Sequence, residues 1–97
     1  MGDAERTVWD DLKAVSNLAL HGIDFADLDT VFDGRFALVV EDTRWDYGEK
    51  RFNMLVEWTG LVLNVTFAVR PPKYRIISAR LAGRKERRSF HARRQAG

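Results

Sequence analysis

Between residues 51 and 69 the sequence holds two segments of alternating side chains, one on each side of a short turn. In the first, large apolar residues occupy every second position: Phe52, Met54, Val56 and Trp58. The second repeats the pattern with Leu61, Leu63, Val65, Phe67 and Val69. A period of two is typical of strands with one buried face. With Thr59-Gly60 between them, the segments predict an antiparallel hairpin whose other face carries Arg51, Asn53 and Glu57.

Two more strands are predicted around this hairpin. One begins at Phe36 and is followed by a polar loop over residues 42–49. Pro71-Pro72 ends the second hairpin strand, because proline has no N–H to donate, and a last strand runs from Tyr74 to Arg80. Regular alternation in this last strand predicts one face with Tyr74, Ile76, Ser78 and Arg80, and another with Arg75, Ile77 and Ala79.

Helices are predicted at both ends of the chain. Residues 9–21 place apolar side chains at helical spacing, and Gly22 is a typical helix stop. That apolar stripe consists of Leu12, Val15 and Leu18 or Ala19. A short second helix is expected from Asp24, and a basic third helix from Gly83 to Gln95. The fold expected for residues 1–97 is a single α+β domain, with two N-terminal helices, a four-stranded antiparallel sheet and a C-terminal helix.

The chain's net charge of +2 hides a strong segregation along the sequence. Residues 1–69 carry 6 basic and 13 acidic side chains, whereas residues 70–97 carry 10 basic side chains and one acidic. Such an asymmetry indicates an anionic partner for the basic end. A solvated basic helix without a ligand is the alternative. A DNA-binding protein is a weaker one, because no helix-turn-helix precedes the basic segment.

Motifs of familiar enzyme classes are missing from the sequence. There is no cysteine, the two histidines match no metal-binding spacing, and no nucleotide-binding loop or serine-hydrolase motif occurs. We therefore expect neither metal nor cofactor, no membrane association and a cytoplasmic location. The arginines remain. Guanidinium groups bind phosphate in pairs of hydrogen bonds and stay charged, which suits them to hold a phosphodiester during its cleavage.

Five short elements occur in an order that resembles the BrnT family of bacterial toxins. They are HGIDF (21–25), VFD (31–33), DYGEKRF (46–52), RIISARLA (75–82) and RKERRSF (84–90). The resemblance implies a RelE-like fold and a ribonuclease that blocks translation by cutting RNA. It also implies a BrnA-like antitoxin with a ribbon-helix-helix domain, and contact with operator DNA only through that antitoxin.

The resemblance also implies candidate site residues. Arg80 is the first candidate for holding the scissile phosphate, followed by Arg51, with Glu49 as its orienting residue or a base. Glu86 is a further candidate, and the alternative for it is a purely structural ion pair with Arg80 or Arg75. His21 either caps its helix or transfers a proton. The remaining candidates for RNA binding are Arg75, Arg84, Lys85, Arg87 and Arg88.

The sequence departs from the usual pattern of the family at four positions. Leu20 and Trp45 stand where a lysine and a histidine are common, Gly83 replaces a threonine, and Phe90 replaces a tyrosine. Phe90 cannot donate a proton. A second hypothesis is therefore a catalytically weakened member that acts mainly as antitoxin partner and operon corepressor.

Overall fold

The computed structural model describes residues 1–97, which form six strands and three helices. Two short strands, β1 (Gly2–Asp3) and β2 (Thr7–Trp9), precede helix α1 (Asp11–His21). A 3-10 helix (Phe25–Phe32) leads into strand β3 (Ala37–Asp42). The rest of the chain consists of β4 (Arg51–Trp58), β5 (Leu61–Arg70), β6 (Lys73–Leu81) and helix α2 (Arg84–Ala96). None of the helices is both long enough and apolar enough to span a membrane.

The strands form one mixed sheet in the order β1-β2-β6-β5-β4-β3. All neighbours are antiparallel except β2 and β6, which run parallel. The predicted hairpin is confirmed: Trp58 lies opposite Leu61 in the register of β4 and β5. Thr59 and Gly60 both have positive φ angles, 48° and 82°, which a two-residue turn of this hand requires.

The predicted four-stranded antiparallel sheet, and with it the RelE-like description, is wrong. The sheet has six strands, and β1 and β2 precede the helices that were expected to begin the fold. These strands are two and three residues long, too short to display a period of two. β2 is held by a long-range parallel pairing in which Thr7 lies opposite Tyr74. Nothing local in the sequence encodes that pairing.

We call the sheet surface under α1 and the 3-10 helix the core face, and the opposite surface the outer face. The main core lies on the core face, where the strands and the 3-10 helix contribute fully buried side chains. Among them are Val56, Leu63, Val65, Ile76, Phe25 and Leu28. Helix α2 covers only part of the outer face, through Phe90, which packs with Val62 and Ala82.

Helix α1 begins and ends as predicted but turns its apolar stripe outward. Asp10 caps the start by accepting a hydrogen bond from the Lys13 N–H, and Gly22 ends the helix at a φ of 71°. Leu12 and Val15 are nevertheless 78% and 67% exposed. The helix packs through Asn17 instead, which reaches the edge of β6 beyond the end of β2.

The Asn17 side chain takes the place of a neighbouring strand. Its Oδ1 accepts a hydrogen bond from the Ala79 N–H at 3.0 Å, and its Nδ2 donates to the Ala79 carbonyl at 2.9 Å. Nδ2 also reaches the carbonyl of Ile23 at 3.3 Å. Because a buried backbone group without a partner is costly, this amide stabilises the sheet edge where β2 has ended.

A bulge in β6 makes the predicted division of its faces wrong. Thr66 lies opposite Ser78 while Phe67 lies opposite Ile76, so Ile77 is an extra residue in the strand. One extra residue reverses the alternation on either side of it. Arg75 pairs with Ala68 and Arg80 with Asn64, and both partners belong to the outer face of β5. Arg75, Ser78 and Arg80 therefore share the outer face.

Candidate functional site

On the outer face, three arginines from three adjacent strands converge on one carboxylate. Glu49 Oε2 accepts a hydrogen bond from Arg51 Nε at 3.2 Å, and Oε1 accepts one from Arg70 Nη2 at 2.6 Å. Arg75 Nη2 donates to Oε2 as well. Arg51, Arg70 and Arg75 belong to β4, β5 and β6 in turn. We call these four residues the Glu49 cluster.

The loop between β3 and β4 supports the Glu49 cluster from one side. The Arg51 guanidinium lies over the Tyr47 ring, 4.3 Å from its centroid, a favourable cation–π geometry. The Tyr47 hydroxyl donates to Asp42 Oδ2 at 3.1 Å. The buried Asp42 carboxylate also binds Arg44 through two side-chain hydrogen bonds. These contacts tie the loop to the end of β3 and fix the position of Arg51.

The electrostatics of the Glu49 cluster favour an anionic ligand. Burial raises the pKa of Glu49, but hydrogen bonds from Arg70 and Arg51 and the charge of Arg75 outweigh it and lower the pKa overall. Glu49 is therefore ionised at neutral pH, and three guanidinium groups surround a single negative charge. The Arg75 Nε is buried and has no hydrogen-bond partner. The cluster thus has surplus positive charge, which favours the binding of a phosphate group.

A second cluster lies on the same face around Glu86 of helix α2. Arg80 Nη1 and Nη2 donate to the two carboxylate oxygens of Glu86 at 2.8 and 3.0 Å. Asn64 Nδ2 and the Gly83 N–H donate to the same carboxylate at 2.8 and 2.7 Å. These hydrogen bonds, those from Arg80 first, lower the pKa of Glu86 to about 2 despite its partial burial. We call these four residues the Glu86 cluster.

A row of short polar side chains separates the two clusters. Asn53, Thr66 and Ser78 lie side by side on β4, β5 and β6, and the Thr66 hydroxyl donates to Asn53 Oδ1 at 2.7 Å. Ala68, opposite Arg75, and Asn64, opposite Arg80, are four residues apart on β5. That separation corresponds to about 13 Å along a strand. The outer face therefore presents two arginine-rich sites joined by a polar strip.

A family model described as the ribonuclease toxin, BrnT, of type II toxin-antitoxin systems matches residues 9–86. The matched segment contains both clusters and most of the chain. The chain belongs to the BrnT family of ribonuclease toxins. The resemblance read from the sequence is thereby confirmed. No curated protein sequence matches the chain.

Among the residues the BrnT resemblance suggested, the structure brings together Glu49, Arg51 and Arg75. It places Arg80 and Glu86 in the second cluster. The two residues form an ion pair there, which is the structural role that was the alternative for Glu86. His21 lies apart from both clusters. It ends α1, where it lines a groove with Leu20, Ile77 and Ser78 among others, and its side chain makes no hydrogen bond or ion pair. The predicted roles of these six residues stay proposals.

The four basic candidates of helix α2 differ in their surroundings. Lys85 lines an open groove of about 400 Å³ on the outer face, together with Asn53, Asn64 and Ser89. Arg87 donates to the carbonyl of Ala82 at 2.9 Å, a contact that fixes the start of the helix. Arg84 and Arg88 are exposed.

Two residues of the clusters were not predicted from the sequence: Arg70 of the Glu49 cluster and Asn64 of the Glu86 cluster. Both lie on the face of β5 opposite Leu63, Val65 and Phe67, so the alternation that predicted the strand also contained this signal. No group of three or more histidine, cysteine, aspartate or glutamate side chains is placed to hold a metal ion.

Proposed function

We propose that this BrnT-family chain is the toxin of a type II toxin-antitoxin pair and an endoribonuclease that cleaves RNA without a metal ion. The convergence of Arg51, Arg70 and Arg75 on one carboxylate of the open sheet face supports this assignment. Three fixed guanidinium groups supply the positive charge that a pentavalent phosphorane needs. In the proposal, the scissile phosphate binds to these arginines and exchanges some of their contacts with Glu49.

Glu49 is the proposed proton acceptor, or the residue that orients the arginines. RNA cleavage by its own 2′-hydroxyl needs a group that removes the hydroxyl proton and another that protonates the leaving oxygen. The ionised carboxylate of Glu49 is suited only to the first of these tasks. Its base strength in the free protein is low, because the arginines lower its pKa. Binding of a phosphate to the same arginines raises that pKa and strengthens the base.

Arg80 is the proposed second phosphate contact, about 13 Å from the first along the sheet. Its side chain is 45% exposed, and both of its terminal nitrogens donate to Glu86. Glu86 is accordingly proposed as a positioning residue. Arg84, Lys85, Arg87 and Arg88 extend the positive surface along α2 and are proposed to add affinity through phosphate contacts.

The proposed protein partner is a BrnA-like antitoxin with a ribbon-helix-helix domain. It neutralises the toxin, and the pair represses its operon, so that operator DNA is contacted only through the antitoxin. The chain belongs to the BrnT family, whose members are toxins of type II toxin-antitoxin systems, and this supports the existence of such a partner. The same proposal includes an RNA substrate and the inhibition of translation. It also includes a single toxin domain over residues 1–97 and a cytoplasmic location.

The test is cleavage of a defined RNA by the purified protein in the presence of a chelator. Arg75→Ala should lower the cleavage rate by at least 100-fold, because it removes a charged hydrogen bond from the transition state. Arg94→Ala is the matched control, since Arg94 forms its ion pair with Glu57, at 3.3 Å, and belongs to neither cluster. Absence of cleavage by the wild-type protein would refute the proposed activity, and equal rates for Arg75→Ala and wild type would refute the site.

The second candidate function is a binding module that acts as antitoxin partner and corepressor with little catalysis. The state of the two carboxylates favours it, because Glu49 and Glu86 are both ionised at neutral pH and neither can protonate the leaving oxygen. Induction of the chain in bacteria without its antitoxin separates the two functions. Growth arrest that disappears with Arg75→Ala supports the nuclease, whereas unimpaired growth with the soluble wild-type protein supports the module.

A further inference from the structure

Trp45 is the one tryptophan that the fold leaves in solvent. It is 72% exposed on the loop between β3 and β4, whereas Trp9 is buried in the main core and Trp58 packs against that core. No contact with the core explains the exposed indole. Tryptophan is enriched at interaction sites, where its large ring and its N–H both find partners.

The Trp45 side chain lies on the wall of an open groove of about 530 Å³ that also reaches the Glu49 cluster. Tyr47, Glu49 and Lys50 line the same groove. The volume falls in the range of small-ligand sites. A phosphate bound by the arginines around Glu49 would therefore have an adjoining groove with an aromatic wall.

The charges of the groove indicate which part of a nucleotide it takes. Glu41, Asp42 and Asp46 line it along with Glu49, against the cations Arg44 and Lys50. Asp42 is paired with Arg44, and Glu49 with its three arginines, which leaves Glu41 and Asp46 against Lys50. This lining attracts a phosphate less than the arginines do, and it accepts a neutral base. A phosphate is therefore better accommodated by the arginines of the Glu49 cluster, and a base by the groove.

We propose that Trp45 is a stacking platform for the nucleobase adjoining the phosphate that the Glu49 cluster holds. The substrate is then single-stranded RNA, because a base in a duplex has no free face to offer an indole. The inference rests on the proposed ribonuclease function and specifies the substrate of the same site. It gives the tryptophan at this family-variant position a role in binding.

The test measures affinity for a short 2′-O-methyl RNA, which cannot be cleaved through its 2′-oxygen. Trp45→Ala should weaken binding by about tenfold or more, the usual effect of removing one stacked aromatic. Trp45→Phe should retain most of the affinity. Leu12→Ala is the matched control, since Leu12 is 78% exposed on α1. Its affinity should equal that of the wild type.

Replacing single nucleotides of the oligonucleotide by abasic ones completes the experiment. At one position, loss of the base should weaken binding to the wild type but have no effect on binding to Trp45→Ala. Equal affinities of Trp45→Ala and wild type, with weakened binding by Arg75→Ala, would overturn the stacking role and leave the proposed function standing. Wild-type protein that neither binds nor cleaves RNA overturns both. Loss of antitoxin binding by Trp45→Ala with unchanged RNA affinity assigns the side chain to a protein interface and overturns the proposal.

Discussion

Replacing Glu86 by glutamine isolates the charge of the Glu86 cluster while preserving its shape. The four hydrogen bonds to the Glu86 carboxylate, led by those from Arg80, lower its pKa from an ordinary 4.5 to about 2. A folded-state pKa below the unfolded one means that the ionised form stabilises the protein. This stabilisation is complete above pH 4.5 and is lost as the pH falls from about 4.5 toward 2.

The size of the effect follows from the shift in pKa. Each unit corresponds to about 1.4 kcal/mol, so the full shift sets an upper limit of about 3.5 kcal/mol. The Glu86 side chain is 31% exposed and that of Arg80 is 45% exposed, so water screens the pair. We expect Glu86→Gln to lower the free energy of unfolding by about 2 kcal/mol at pH 7. By pH 3 the difference should fall to less than half, because the unfolded chain then binds a proton at Glu86 that the folded protein, with its lower pKa, does not bind.

Urea unfolding of the wild type and Glu86→Gln at pH 7 and at pH 3 measures both quantities. Glu57→Gln is the matched control: Glu57 is 38% exposed and has one ion-pair partner, Arg94, at 3.3 Å. Its effect should stay below about 0.5 kcal/mol at either pH. A Glu86→Gln variant as stable as the wild type at pH 7, or a difference that does not change with pH, would refute the reasoning.

Two further predictions concern stability. Asn17→Ala leaves the N–H and C=O of Ala79 without their partner, and it should lower the free energy of unfolding in urea by about 2–3 kcal/mol. The control Ser16→Ala, at an exposed position, should lower it by less than about 0.5 kcal/mol. Equal losses for the two variants would contradict the role of Asn17. Phe90→Ala removes the fully buried ring that docks α2, and it should cost about 3 kcal/mol and speed amide hydrogen exchange in residues 84–96. Unchanged protection of those amides would show that other contacts hold the helix.

The hairpin and the helix ends could be predicted from the sequence because their signals are local. A period of two over residues 51–69 determined β4 and β5 almost to the residue. Gly22 ended α1 because glycine adopts the positive φ of 71° at little cost. Asp24 began the next helix by accepting a hydrogen bond from the Ala26 N–H. In each case the residue and the group that it satisfies lie within a few positions.

The orientation of α1 could not be predicted, because it depends on a distant unpaired strand edge. Its apolar stripe suggested a buried face, yet Leu12 and Val15 are exposed. The buried face is set by Asn17, whose partner Ala79 is 62 residues away. β2 escaped prediction for the same reason, since its pairing partner is β6. Pairings at such distance leave no periodic signal in the short segments that make them.

In the candidate site, one extra residue decides which side chains of β6 lie on the core face and which lie on the outer face. With regular alternation, Arg75 and Arg80 would lie on opposite faces, and one of the two would enter the core. The extra residue Ile77 avoids this outcome: Ile76 and Ala79 both reach the main core, while both arginines reach the outer face. The bulge reverses the alternation because it shifts the register between β5 and β6 by one residue while both sides of the ladder stay paired. The charge concentrated in residues 70–97 therefore meets the polar side of the hairpin on a single surface, because β6 contains one residue more than its partner requires.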